Sequence, residues 1–168
     1  MVNMPKLAFW TWLFKGIGDS PPGVFKLFNR WLWLHLIVAI FLCALTGDDI
    51  SETSKSIVLP ASGILLGITF AWSGNITSLL SAKEISELAE ITKGKMSEYV
   101  YSVQLSILIV FATCIFWIFS AFGLMNNFIF KALLFFISSI SVRECWQTIL
   151  FAQYLTITRD TISKKNNH

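Results

Sequence analysis

The sequence predicts an all-α integral membrane protein with four transmembrane helices, preceded by a short interfacial amino-terminal helix. Three observations carry this. The composition is too apolar for a soluble fold, four long apolar stretches follow one another, and the Lys and Arg residues are distributed to one side. Hydrophobic residues make up 55% of the 168 and charged ones 14%, against about 25% charged in an average soluble domain. A soluble chain of this length keeps much of its surface in water and has no room to hide so much apolar area. A lipid environment removes that constraint. Seven Trp and fifteen Phe suit a lipid-facing surface with rings anchored at the headgroup level.

Residues 7–17 (LAFWTWLFKGI) are short, aromatic and flanked by lysines, the pattern of a helix lying in the membrane interface. Ser20, Pro21 and Pro22 then read as a helix start, since proline is tolerated in a first turn. The first span covers about 28–46, with its apolar core from Trp31 to Thr46 and Val24 to Phe28 as a candidate extension. The other spans cover about 57–80, 102–124 and 128–151. A hydrocarbon core of ~30 Å needs roughly 20 helical residues, which each stretch supplies. A barrel needs alternating polarity, and none appears. Pro60 reads as a first-turn proline of the second span rather than a hinge. The 82–98 connection contains a helix-like segment in which Ser81 and Glu84 have capping-box spacing, Ile85, Leu88 and Ala89 share a face, and Gly94 is a stop. No repeat or linker divides the chain, so residues 1–168 form a single membrane domain.

Orientation follows from the basic residues. Lys6, Lys15, Lys26 and Arg30 precede the first span, Lys83, Lys93 and Lys95 lie between the second and third, and Arg159, Lys164 and Lys165 form the tail. The other side carries Lys55 and Lys131 beside Asp48, Asp49 and Glu52. Ten against two is a strong positive-inside bias and places both termini in the cytoplasm of a bacterial inner membrane. The first apolar run begins some thirty residues in, with no A-x-A-like exit, so no cleavable signal peptide is read.

Catalytic motifs are absent: there is no Gly-rich phosphate loop, no nucleophile elbow and no His/Cys/carboxylate cluster. The three cysteines, Cys43, Cys114 and Cys145, sit in apolar segments without metal-ligand spacing and read as packing residues. The expectation is a non-enzymatic chain without cofactor or metal. The basic residues form no continuous patch, so no direct nucleic-acid contact is expected either.

The informative signal is polarity at membrane depth. His35 lies one turn into the first span, Asn75 near the inner end of the second, Gln104 at the start of the third, and Arg143, Glu144 and Gln147 toward the inner end of the fourth. All six fall in roughly the inner third of the bilayer. Intramembrane Arg and Glu cost about 2.5–3.5 kcal/mol each on insertion scales and so face a partner or water. Adjacent residues point about 100° apart on a helix, so Arg143 and Glu144 are expected to pair with other helices rather than with each other. Two readings follow. In one, Arg143 snorkels to the headgroups while Glu144 bonds Asn75, Gln104 or His35. In the other, repeated copies of one charge form a vestibule or ring. Span two adds Gly63, Gly67, Ala71 and Gly74 at four-residue intervals or close to them, beside a mildly polar stripe that includes Thr69 and Ser73. Small residues so spaced let backbones approach, either within one chain or between copies, or line a pore.

In size, in four cytoplasm-anchored spans and in the charged 82–98 connection, the chain resembles small bacterial four-span membrane effectors of phage defence, of the RexB type. The resemblance covers the layout and implies proteins that depolarise or permeabilise the inner membrane on infection. Small multidrug exporters share the span number but are shorter and need an acid in span one, where this chain has His35. The leading expectation is a homo-oligomeric, ion-conducting or membrane-perturbing protein whose environment is the lipid bilayer. The alternative is a sensor or scaffold that recruits a cytoplasmic partner protein through 82–98 and the basic carboxy-terminal tail. Reporter fusions to each terminus and to the 48–56 connection test the topology: both termini should report cytoplasm and the connection the opposite side, and an external terminus overturns it.

Overall fold

The computed structural model describes residues 8–16, 21–28, 30–47, 49–82 and 96–166. Over these residues the chain is all-helical. Helix α1 spans Ala8–Lys15, α2 Leu32–Leu45, α3 Ser51–Leu80, α4 Met96–Ala121 and α5 Phe128–Asn166, with a 3-10 turn at Gly23–Lys26 between the first two. Two stretches, Ser51–Leu80 and Glu98–Ala121, are long and apolar enough to cross a membrane. The other two expected spans differ from expectation in length. Helix α2 has 14 residues, about 21 Å at 1.5 Å per residue, because residues 23–26 wind into their own turn rather than extending it. Helix α5 has 39 residues, so the expected span 128–151 continues as helix through the basic tail. No Gly or Pro interrupts it, but Lys131, Arg143 and Glu144 punctuate its apolar run. The expected helix within 82–98 falls almost wholly on residues 83–95, outside the described residues.

Helix α5 is the hub. It packs against α2, α3 and α4, and α3 also packs on α4. One end of the core joins Ile76 and Leu79 of α3, Val103 of α4, and Ala152 and Leu155 of α5. The other joins Ile50, Trp117 of α4 and Leu134 of α5. Between them, hydroxyls fasten the helices. Ser106, Thr113 and Ser120 of α4 are buried at seven-residue spacing, so they share one face. Ser106 bonds Glu144, Thr113 pairs with Ser141, and Ser120 pairs with Ser54 of α3 at 2.8 Å. The Trp117 indole donates to Ser138 at 2.7 Å.

The ends of the elements follow from their residues. Gly123, with φ of 76°, takes the left-handed position after α4 that glycine adopts without strain. Its N–H reaches Ser120 and that of Leu124 reaches Phe119, the two-bond Schellman closure, and α5 begins five residues on. At the entrance to α3 the Asp49 carboxylate accepts the Ser51 N–H at 2.9 Å. That bond, joined by Asn126, holds the Asp49 carboxyl below its ordinary range. Pro60 is the second residue of the α-helical stretch Leu59–Leu80 within α3, in its first turn as expected. A wide π turn at Ser54–Val58 directly precedes it. Proline offers no N–H to Ser56 and crowds that carbonyl, and a widened turn absorbs both effects.

Helix α1 forms where an interfacial helix was expected, and it docks on α4. Trp12 is fully buried with Leu13 and Leu105, and its ring lies against Gly23. A Cβ at Gly23 would meet Trp12 Cη2 at 2.6 Å, while the Lys26 ammonium stands 5.3 Å from the ring centroid. Gly23→Ala should therefore expel Trp12 or shift the 3-10 turn, at a cost of about 1–3 kcal/mol for overpacking. Tryptophan fluorescence and thermal melting in detergent check this: a red shift and a lower Tm are expected, and an unchanged spectrum overturns it.

Candidate functional site

Glu144 is 7% exposed, and both of its carboxylate oxygens are engaged. Oε1 accepts from Arg143 Nε at 3.0 Å and Nη2 at 2.6 Å. Oε2 accepts from Ser106 Oγ on α4 at 2.9 Å. The expectation that Arg143 and Glu144 would not pair is overturned. The 100° rule describes where Cβ atoms point, whereas an arginine carries its donors out on a long flexible stem. Arg143 leaves α5 toward α2, Glu144 leaves it toward α4, and the guanidinium reaches sideways across the helix surface to close the pair. A charge-assisted contact of this kind is short and strong, and it leaves neither ion uncompensated at depth. The partner Glu144 finds on α4 is Ser106, not Gln104, and neither Asn75 nor His35 is bonded to it.

His35 lies on the opposite flank. Its Nδ1 and Ser139 Oγ are 2.6 Å apart, tying α2 to α5. The ion pair thus stands between two openings. A cavity of about 220 Å³ lies on the α4 side, lined in part by Lys26, Ser102, Ser106, Gln147 and Thr148. A wider, apolar groove of about 510 Å³ lies between α2 and α5, lined in part by His35, Val38, Leu42, Ser139, Arg143 and Trp146.

Of the six residues expected in one inner polar layer, His35, Arg143 and Glu144 cluster, and Gln147 lines the adjoining cavity. Asn75 and Gln104 are exposed on the outer surfaces of α3 and α4. On α3 the two expected faces separate. Gly63, Gly67, Ala71 and Gly74 are exposed, with open space around a Cβ built at each of the three glycines. Thr69 and Ser73 are buried, and their hydroxyls donate to the carbonyls of Leu65 and Thr69 on their own helix. Among the described residues, nothing packs against the glycine face. Sequence reasoning missed Ser106, Ser139 and the hydroxyls of Thr113, Ser138 and Ser141. The seven-residue spacing of Ser106, Thr113 and Ser120 was the available signal.

Among the described residues no group of three His, Cys, Asp or Glu could hold a metal ion. The cysteines are free; the Cys43 thiol lies 3.7 Å from the Phe128 carbonyl and the Cys114 thiol 3.4 Å from that of Ser62.

Removing one member of the pair strands the other charge, a loss of about 3–5 kcal/mol for buried pairs, whereas removing both does not. Arg143→Gln and Glu144→Gln should each lower Tm and folded yield in detergent, and the double variant should recover most of the loss. Additive losses in this cycle would show that the two side chains do not act as a unit.

Comparison with known protein families, curated proteins and solved structures finds no match.

Proposed function

We propose that the chain is a four-span bacterial inner-membrane protein, with both termini cytoplasmic, that works as a homo-oligomer conducting ions or perturbing the membrane. The defence effectors it resembles give that activity its setting. The observation that carries the reading is the outward face of α3. Gly63, Gly67, Ala71 and Gly74 are open there, and Asn75 is exposed one turn beyond Ala71. Small residues allow close helix approach, and an amide at hydrocarbon depth gains a partner when a second copy presents its own. Association through α3 satisfies both. Conduction then belongs between protomers, because the interior of one bundle is filled by apolar clusters and hydroxyl pairs from Trp117 to Ile76.

The four-span reading draws support from α2 and from the surface of α5. Trp33, Ile37, Phe41 and Leu45 of α2 and Ile129, Leu133, Val142 and Trp146 of α5 are exposed, and so large an apolar surface calls for a covering phase. Lipid on α2 and on the outer side of α5 supplies it. A short α2 is accommodated by local thinning or by anchors at its ends, and Trp31 and Trp33 stand at its start.

The scaffold reading has one observation of its own. Helix α5 runs on past the core to Asn166, with Tyr154 and Ile157 exposed, offering a helical surface to a soluble partner.

Native mass measurement in mild detergent, together with conductance in reconstituted bilayers, tests the leading reading. Wild type should be oligomeric and conducting. Gly67→Leu and Asn75→Leu should reduce both oligomer and conductance by on the order of tenfold or more, the loss of about 1.4 kcal/mol, with helicity unchanged. A clean wild-type monomer overturns the proposal.

A further inference from the structure

We propose that Ser106 and Glu144 form a proton-binding site, fed from the cavity between α4 and α5, in which Ser106 relays the proton to the carboxylate. The site lies within one protomer and does not depend on oligomerisation or conduction.

Ser106 Oγ is 2.9 Å from Glu144 Oε2 and 3.2 Å from the Ser102 carbonyl. A hydroxyl has one hydrogen to donate and two lone pairs with which to accept, so Ser106 donates to only one of these two oxygens at a time. With Glu144 ionised, Ser106 donates to Oε2. With Glu144 protonated, Oε2–H donates to Ser106, which turns its own hydrogen to Ser102. Each state keeps its hydrogen bonds, with Arg143 left as the net positive charge when Glu144 is protonated, and the exchange moves hydrogens without displacing a heavy atom. Oε1 is held by two Arg143 donors, which leaves Oε2, the oxygen facing Ser106, to take the proton.

Ser106 is also the point of access. It lines the cavity together with Ser102, Gln147, Thr148, Tyr99 and Lys26, whereas Glu144 itself lies behind it. A volume of about 220 Å³ admits several waters at about 30 Å³ each, and water holds such a space only where polar partners line it. Here a hydronium in the cavity gives a proton to Ser106 Oγ as Ser106 passes its own to Oε2. Hydronium and carboxylate become water and carboxylic acid, and nothing else is consumed.

Among the described residues the charged and titratable groups around the site are few. Arg143 touches the carboxylate from the same helix, and Glu98 stands two turns before Ser106 on α4. His35 faces the pair from α2, on the groove side, bonded to Ser139. Lys26 of the 3-10 turn and Tyr99 of α4 border the cavity. Helix α1 carries Lys15 at its end, exposed. On α3 the titratable residues among those described, Glu52 and Lys55, pair with each other at 3.1 Å at the far end of the bundle. Protonation therefore changes the charge of this region by one, beside an arginine that borders the opposite groove.

Infrared difference spectroscopy of the protein in lipid nanodiscs tests the proposal. As pH falls, wild type should gain a carboxylic-acid C=O band that the charge-balanced double variant Arg143→Gln/Glu144→Gln lacks. Ser106→Ala should keep the band but shift it, since the acid loses its acceptor. Transfer to D2O should move the wild-type band within the mixing time. If the double variant does not fold, Glu144→Asp replaces it; a displaced band supports the site and an unmoved one overturns it. Identical spectra for wild type and double variant, a band unmoved in Ser106→Ala, or deuterium exchange only on unfolding each overturn the proposal.

Discussion

The contact between Arg143 and Glu144 governs more of this fold than its two residues would imply, because it sits on the helix that the others pack around. Helix α5 carries the pair at the level where α2 approaches from one side and α4 from the other. An isolated charge there would draw water into both interfaces. Joined, the two ions behave as one dipolar group whose outer edges are completed by Ser106 on the α4 side. The neighbouring His35–Ser139 bond closes the α2 side. The pair can remain at depth only while α2 and α4 hold their present rotation about α5. The charges thereby fix azimuths that apolar packing leaves loosely specified.

The remaining polar contacts between helices extend that control along the axis. An intramolecular hydrogen bond contributes only about 0.5–1.5 kcal/mol net, so Thr113 with Ser141, Trp117 with Ser138 and Ser120 with Ser54 add modestly to stability. Their value is positional. Each joins a named pair of positions on two helices, so the three together favour the observed alignment. Apolar clusters at the two ends supply area, and the hydroxyls between them select the alignment.

The helical class and the positions of α3 and α4 were legible in the sequence, because long apolar runs specify a helix without reference to neighbours. The lengths of α2 and α5 were not. Val24 to Phe28 look like an extension of a span until Trp12 packs on Gly23 and winds the segment into its own turn. Phe151 looks like the end of a span until Ala152 and Leu155 are seen to pack on Ile76 and Leu79. Half of the candidate site was legible in the same sense. Polar residue types at depth flagged His35, Arg143 and Glu144, but whether a residue faces in or out depends on helix rotation. Hence Asn75 and Gln104, equal in type and depth, emerged on the outside. Ser106 escaped notice because serine is common in such spans, and only a facing carboxylate gives it a role.

The tight link between α4 and α5 bears on the order in which the chain assembles. Gly123 reverses the chain within a few residues, so α4 and α5 are a helical hairpin whose mutual bonds need no third element. Arg143 and Glu144, each costly to bury alone, are adjacent on the second arm, and Ser106 waits on the first. The hairpin can therefore complete the bonds of its buried ion pair before α2 and α3 dock on it. On that account a change at Gly123, distant in sequence from Arg143 and Glu144, would be felt first as failed docking of the second arm on the first.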